Sequence, residues 1–164
     1  MESFFYIYEM NIVDVSTDEL IPIEILPVEK TDYKFISKNR YFFNWKEEQN
    51  HEVLKLIIKG KNDILGLISY EDIPEEWRFH VRLLTVSKEN KGANRKYSKI
   101  AGNLIVHLAK LAIRKYGIMG CVSLRPKTQI AQHYIKNYKM KITGMTLSLE
   151  VPEILDLINQ YENE

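Results

Sequence analysis

The sequence predicts an α/β domain of the α+β kind: a mixed, mostly antiparallel central sheet with one βαβ unit and flanking helices. Three stretches predict it. Residues 53–58 and 64–70 are apolar, β-branched runs on either side of the turn Gly60-Lys61-Asn62-Asp63, as an antiparallel pair requires. Residues 79–86 form a third such run. It leads through a basic loop into a segment where Ile100, Leu104, Leu108, Leu111 and Ala112 recur at helical spacing, as do Ala101, Ile105, Ala109 and Ile113. The glycine stop Tyr116-Gly117 then precedes the apolar residues 119–124, which read as a buried strand parallel to 79–86. Strand, crossover helix and strand make a right-handed βαβ unit.

The outer elements follow from the same rules. Residues 4–13 and 20–28 read as extended, with Tyr6, Tyr8, Met10 and Ile12 alternating and Pro22 and Pro27 disfavouring helix. Residues 31–45 carry Tyr33, Phe35, Tyr41, Phe42, Phe43 and Trp45, and read either as a short helix-turn element walling a pocket or as packing for a core edge. A polar connection at 72–76 joins the second and third strands of a meander. Pro126 and Thr128 open a second helix running to about Asn137, residues 142–151 read as one final strand, and Pro152 starts a closing helix with Ile154, Leu155 and Ile158 on one face.

At 164 residues the chain is expected to form one domain, 1–164, able to enclose a core. With 23 basic against 22 acidic residues, it is not expected to coat nucleic acid. Basic charge is instead local: Lys88, Lys91, Arg95, Lys96 and Lys99 face the single acid Glu89 between strand and helix, which implies a small anionic partner. The single cysteine, Cys121, rules out an internal disulfide, and no Cys/His spacing suits a zinc site, so a reducing cytoplasm and no metal are expected. Residues 4–8 are apolar but short, lack a preceding basic region and end at Glu9, so neither a signal peptide nor a membrane span is expected there.

A strand feeding a helix through a basic turn suits an anion, because the first N–H groups of a helix have no internal partner and the helix dipole adds positive potential. At this junction the chain resembles the GNAT superfamily of acyl-CoA-dependent N-acyltransferases, whose signature is Gln/Arg-x-x-Gly-x-Gly/Ala opening a helix. The corresponding residues are Lys96-Tyr97-Ser98-Lys99-Ile100-Ala101, followed by Gly102; Lys96 stands for Gln or Arg, Lys99 for the glycine, and Ala101 matches. One helix and one strand further on, the segment from Ala131 to Met140 resembles the family's Ala-x-x-Phe-Tyr-x-x-x-Gly-Phe pattern, with Ala131 and Tyr134 matching.

The resemblance implies acetyl transfer from acetyl-CoA, as co-substrate, to a primary amine by direct attack, the acceptor being a small molecule or peptide. It also implies that the backbone of Leu84, Thr85 and Val86 holds the pantetheine arm and thioester, while Lys96, Tyr97, Ser98, Lys99, Ile100, Ala101 and Gly102 cradle the pyrophosphate. Tyr134 is the candidate acid for the departing thiolate, since a phenol titrating near ~10 is close to a thiol and donates one proton. His80 is the candidate base, an imidazole near ~6.5 on the strand where family members carry Glu or His. The alternatives are a tyrosine at a helix terminus packing its ring in the core, and a half-exposed strand histidine with no role. Arg82 lies on the His80 face as a partner for an acidic group or a strand-edge charge. Glu71, Glu75 and Glu76 read as solvated acids, His51 and His107 as surface residues, and Cys121 as a buried small hydrophobe.

Lys99 in place of the glycine motivates an alternative, a non-catalytic acyl-CoA-binding or partner-binding GNAT-like module. A nucleic-acid or phospho-ligand binder on the Lys88–Lys99 cluster with Lys110, Arg114 and Lys115 ranks last, because no exposed aromatics interleave with those charges. No membrane partner is expected, and the terminal strands offer edges for a homodimer.

Overall fold

A computed structural model describes residues 10–125, 131–143 and 146–162. They fall into two compact units, Glu9–Tyr70 with Leu83–Leu104, and Glu71–Arg82 with Ile105–Glu164.

The first unit contains β1 (Asn11–Asp14), β2 (Leu20–Pro27), β3 (Glu52–Ile58), most of β4 (Ile64–Ile73), the end of β5 (Arg78–Val86) and β6 (Tyr97–Ser98). Hydrogen-bonded order is β6-β1-β2-β3-β4, with each neighbour antiparallel to the next. The expected strands are there, residues 4–9 lying outside the described residues. The two-residue β6 is an addition: it sits inside the expected loop and pairs Val13 with Ser98 and Asp14 with Tyr97. Two residues are too few for any alternation to show.

Residues 31–45 satisfy both expectations at once. A 3₁₀ turn (Lys30–Phe35), the short helix α1 (Lys38–Tyr41) and a second 3₁₀ turn (Trp45–Glu48) do form. Ser37 caps α1, its hydroxyl accepting the Arg40 N–H at 3.2 Å. Three of the aromatics on these turns are core, Tyr33, Tyr41 and Trp45 packing with Val53, Ile57, Ile64 and Leu67, whereas Phe35 and Phe43 are exposed. The Tyr41 hydroxyl donates to Ile64 O at 2.7 Å and Trp45 Nε1 to Tyr41 O at 3.1 Å, which satisfies both buried polar atoms.

Helix α2 (Ile100–Tyr116) has the predicted bounds. Its first turn lies close on β4 at Gly66, where a Cβ would stand 2.6 Å from Ile100 Cγ2, 3.1 Å from Leu104 Cδ1 and 3.3 Å from Thr85 O. Only a residue without a side chain admits the helix there.

In the second unit the order is β5-β7-β9-β8. The predicted parallel pair is formed by β5 and β7 (Cys121–Leu124), in register from Arg78↔Cys121 to Val81↔Leu124. Gly117, at φ +62°, lets the chain leave α2, as the glycine stop requires. Helix α3 spans Ala131–Tyr138; Pro126 and Thr128 lie outside the described residues. Residues 142–151 are not one strand. They belong to a hairpin of β8 (Lys141–Thr143) and β9 (Thr146–Glu150), closed at Thr143↔Thr146, where the Thr146 hydroxyl donates to Thr143 O at 2.9 Å. Ser148 on β9 is buried in register with Ser123 of β7, so the polar alternation that suggested a one-sided strand instead marks polar contacts inside the sheet.

Helix α4 (Glu153–Glu162) buries Ile154, Leu157 and Ile158, whereas Leu155 is exposed; spacings of three and four put 157, not 155, on the inner face. His107, expected on the surface, is half-buried, and burial followed by Lys110 and Arg114 pushes its pKa down to about 4. Lys110 is itself paired with Glu162, both side chains being buried. Among the described residues no helix is long and apolar enough to cross a membrane.

Candidate functional site

The strand–loop–helix junction lies within the first unit. Among the described residues the register with β7 on one side of β5 covers Arg78 to Val81 and not Leu83 to Val86. On the other side β4 steadies them: Ser87 N–H donates to Leu65 O at 2.8 Å, and Leu83 N–H donates at 3.2 Å to the Ser69 hydroxyl. Ser69, itself fully buried, donates at 2.8 Å to the carboxylate of Glu48, which is 6% exposed. A side-chain relay thus holds the N–H of Leu83 next to Leu84, Thr85 and Val86. Sequence reasoning missed Glu48, because an acid at the end of an aromatic segment reads as its solvated edge.

The basic loop is internally braced. Asn90, buried, donates to the Ser87 hydroxyl at 3.0 Å and accepts the Tyr97 N–H at 2.9 Å, while Lys96 O accepts the Val15 N–H at 3.0 Å. Glu89 is engaged by Arg40, whose guanidinium also grips Asp63 through two hydrogen bonds of 2.7 and 2.9 Å. Lys91 lies over the Phe42 ring at 4.2 Å and Lys96 over the Tyr97 ring at 5.4 Å. A cavity of about 290 Å³ opens here, lined among others by Lys61, Asp63, Asn90, Lys96 and Tyr97.

At the helix start, Lys99 adopts φ +72°, the left-handed conformation that glycine takes without cost. The residue replacing the motif glycine keeps the backbone shape a glycine would supply. Asn103 fixes the same turn: its N–H donates to Lys99 O at 3.1 Å, and its side-chain amide donates to Lys99 O at 2.7 Å and to Asn11 O at 2.8 Å. The first intrahelical bond therefore starts at Asn103, which leaves the N–H groups of Ile100, Ala101 and Gly102 as the donors a helix start offers. Tyr97 belongs to the brace, its N–H being given to Asn90. Ser98 lies on β6.

The second unit holds the other candidates. His80 on β5 is half-buried, with Nδ1 at 2.8 Å from Ser123 Oγ and 3.1 Å from Arg78 Nη1; that guanidinium nitrogen also donates to Ser123 Oγ at 2.5 Å. Glu76 holds the far side of the same guanidinium at 3.1 and 3.3 Å. Burial, then Arg78, keep the His80 pKa below the ordinary imidazole value. Arg82 lies 3.8 Å from Glu71. Tyr134, on α3, stacks edge-on with His133 and tilted against Tyr138, ring centres 5.7 Å apart in both cases. Burial raises its phenol above the ordinary tyrosine value, so it carries its proton throughout the neutral range. Cys121 is half-buried and burial raises its thiol pKa, which fits a packing role. Among the described residues no three His, Cys, Asp or Glu side chains gather as a metal-binding set.

A strand that leads through a braced basic loop into a helix, on a mixed sheet whose β5 and β7 run parallel, defines an α/β fold with a basic strand–helix junction. No family model matches the chain, and no curated protein matches it by sequence. Solved structures do. It is similar to mutant forms of the spermidine/spermine N-acetyltransferase SpeG from Vibrio cholerae, with 13% identity over 82% of this chain and 96% of that one and a TM-score of 0.58. It is similar to the ribosomal-protein-S18-alanine N-acetyltransferase from Escherichia coli, at 11% identity over 79% and 94% and a TM-score of 0.57. A candidate streptothricin acetyltransferase from Bacillus anthracis, in complex with acetyl coenzyme A, gives 13% identity over 79% and 99% and a TM-score of 0.59. The chain has the fold of the GNAT acetyltransferases.

Proposed function

We propose that the protein is an acetyl-CoA-dependent N-acetyltransferase, its domain spanning residues 1–164 and working in the cytoplasm on a primary amine of a small molecule or peptide. The observation that carries this reading is Lys99 at φ +72°, a glycine-like turn kept under a lysine side chain at the head of α2. Holding an L-residue in that conformation costs roughly 1–2 kcal/mol, and an anion cradle in a fold that serves acetyl-CoA elsewhere gives the turn a use. The N–H groups of Ile100, Ala101 and Gly102 take the pyrophosphate, Lys96 and Lys99 add charge, and the backbone of Leu84 to Val86 receives the pantetheine arm.

The free amine attacks the thioester carbonyl carbon, the C–N bond forms and the C–S bond breaks. Tyr134 gives its phenolic proton to the departing sulfur and regains one from solvent, while the new amide nitrogen loses its extra proton to water. The chemistry needs no metal. Spermidine, spermine and an alanine amine are the first acceptors to try, since structural neighbours are a spermidine/spermine N-acetyltransferase and a ribosomal-protein-S18-alanine N-acetyltransferase.

Calorimetric titration with acetyl-CoA, followed by thiol release across a panel of amines, tests the proposal. Saturable binding with turnover is expected, and Tyr134→Phe is expected to lower kcat by about 100-fold with little change in KM. Absence of binding refutes the reading; binding without thiol release would assign the chain as a non-catalytic acyl-CoA module.

A further inference from the structure

We infer that Arg78 and Ser123 lock His80 into the tautomer protonated at Nε2, so that this imidazole serves acetyl transfer as a hydrogen-bond donor and not as the proton acceptor its place on β5 suggests. The role in transfer rests on the acetyltransferase reading; the lock itself does not.

The lock follows from donor and acceptor chemistry. A guanidinium has only donors, and a histidine ring nitrogen beside one must present its lone pair. Arg78 Nη1 stands 3.1 Å from His80 Nδ1, so a proton on Nδ1 would set donor against donor. With Nδ1 bare, the three groups fit together: Arg78 Nη1 donates to Ser123 Oγ at 2.5 Å, and the Ser123 hydroxyl donates to Nδ1 at 2.8 Å. Ser123 is 1% exposed, so its hydroxyl turns toward these neighbours and not toward bulk solvent. Glu76 fixes the orientation of the guanidinium by taking Nε and Nη2. The charged groups facing the ring are Arg78 and Arg82 from β5, Arg125 beyond β7, Glu71 from β4 and Glu76 from the turn before β5, three cations against two carboxylates. They disfavour an imidazolium, in keeping with the lowered pKa.

A base must offer a lone pair to the amine, directly or through water. The only lone pair of this tautomer is spent on Ser123, and what remains is the Nε2–H. Arg78 and Ser123 are thereby positioning residues, acting through His80.

Two-bond ¹H–¹⁵N correlation spectra of the ¹⁵N-labelled protein read the lock with no ligand present. His80 is expected to show a bare, pyridine-type Nδ1 and a protonated, pyrrole-type Nε2, persisting below the ordinary imidazole midpoint. Ser123→Ala and Arg78→Gln are each expected to mix the tautomers, and Arg78→Gln to move the midpoint up. A pyrrole-type Nδ1 in the unmodified protein, or spectra unmoved by both variants, overturns the lock. The donor role is read by turnover. His80→Gln keeps an N–H donor and is expected within about tenfold of the parent kcat, whereas His80→Ala loses about 100-fold. Equal losses in both variants overturn it. Failure to bind acetyl-CoA, measured separately, removes the acetyltransferase reading and the donor role together while the spectra still judge the lock.

Discussion

Replacing Lys99 by glycine separates two properties that the helix start combines, a strained backbone and an anion cradle. At φ +72° the lysine backbone sits where an L-residue loses roughly 1–2 kcal/mol against the right-handed region. Glycine removes that cost but adds unfolded-state freedom worth roughly 0.5–1 kcal/mol, so Lys99→Gly is expected to stabilise the fold by about 0.5–1 kcal/mol. For a chain of this size the shift corresponds to a Tm higher by about 1–4 °C, measurable by calorimetry and by urea midpoints. Lys99→Val, β-branched, is expected to lower stability by at least about 1 kcal/mol. Acetyl-CoA affinity carries the second half of the test. If backbone amides of Ile100 to Gly102 hold the diphosphate, Lys99→Gly leaves Kd within about tenfold, less than about 1.4 kcal/mol. A less stable Lys99→Gly protein refutes the strain argument, and a loss beyond about 100-fold in affinity shows that the ammonium carries the anion.

Three further expectations follow from buried groups. His107 titrates near 4 when folded and near 6.5 when unfolded, so the unfolded chain takes up the proton first. Stability is therefore full above about pH 6.5 and falls toward pH 4 by up to roughly 3 kcal/mol, a slope that denaturant melts should show and His107→Leu should flatten. Removing the Glu48 carboxylate leaves the buried Ser69 hydroxyl without its acceptor; Glu48→Ala should cost about 1–3 kcal/mol and raise KM for acetyl-CoA, with Glu48→Gln recovering most of both. Gly66→Ala forces a Cβ against Ile100 and Leu104 and should cost about 1–3 kcal/mol by urea denaturation, with weaker acetyl-CoA binding as the start of α2 shifts.

The elements that sequence patterns located best are those whose faces meet one kind of surroundings. α2 declared itself through repeated apolar spacing, and the pair β3 and β4 through two β-branched runs about a glycine turn. Patterns misled where a segment meets mixed surroundings. The hairpin of β8 and β9 looked like one strand because Thr146 and Ser148 alternate with leucines, yet Ser148 points into the sheet. Leu155 looked buried by composition, but only its neighbours at three- and four-residue spacing face inward. At the candidate site, the motif positions told where the helix begins and could not tell which N–H groups remain. That depends on Asn90 and Asn103, whose side chains reach across 7 and 92 positions of the chain. Such reach is written in tertiary structure and leaves no local periodicity. His80 was visible as a polar residue on an apolar strand; its proton inventory was not, being set by Arg78 two residues away and Ser123 on another strand.

The amide of Asn103 bridging Asn11 and Lys99 ties β1 to the start of α2. A contact that spans so much sequence closes a large loop, which places it among the slow steps of assembly. The nascent protein thus completes the turn at the head of α2 only after distant parts have met. Any ligand held at that turn will, by mass action, also pin the first strand in place and protect it from fraying and proteolysis.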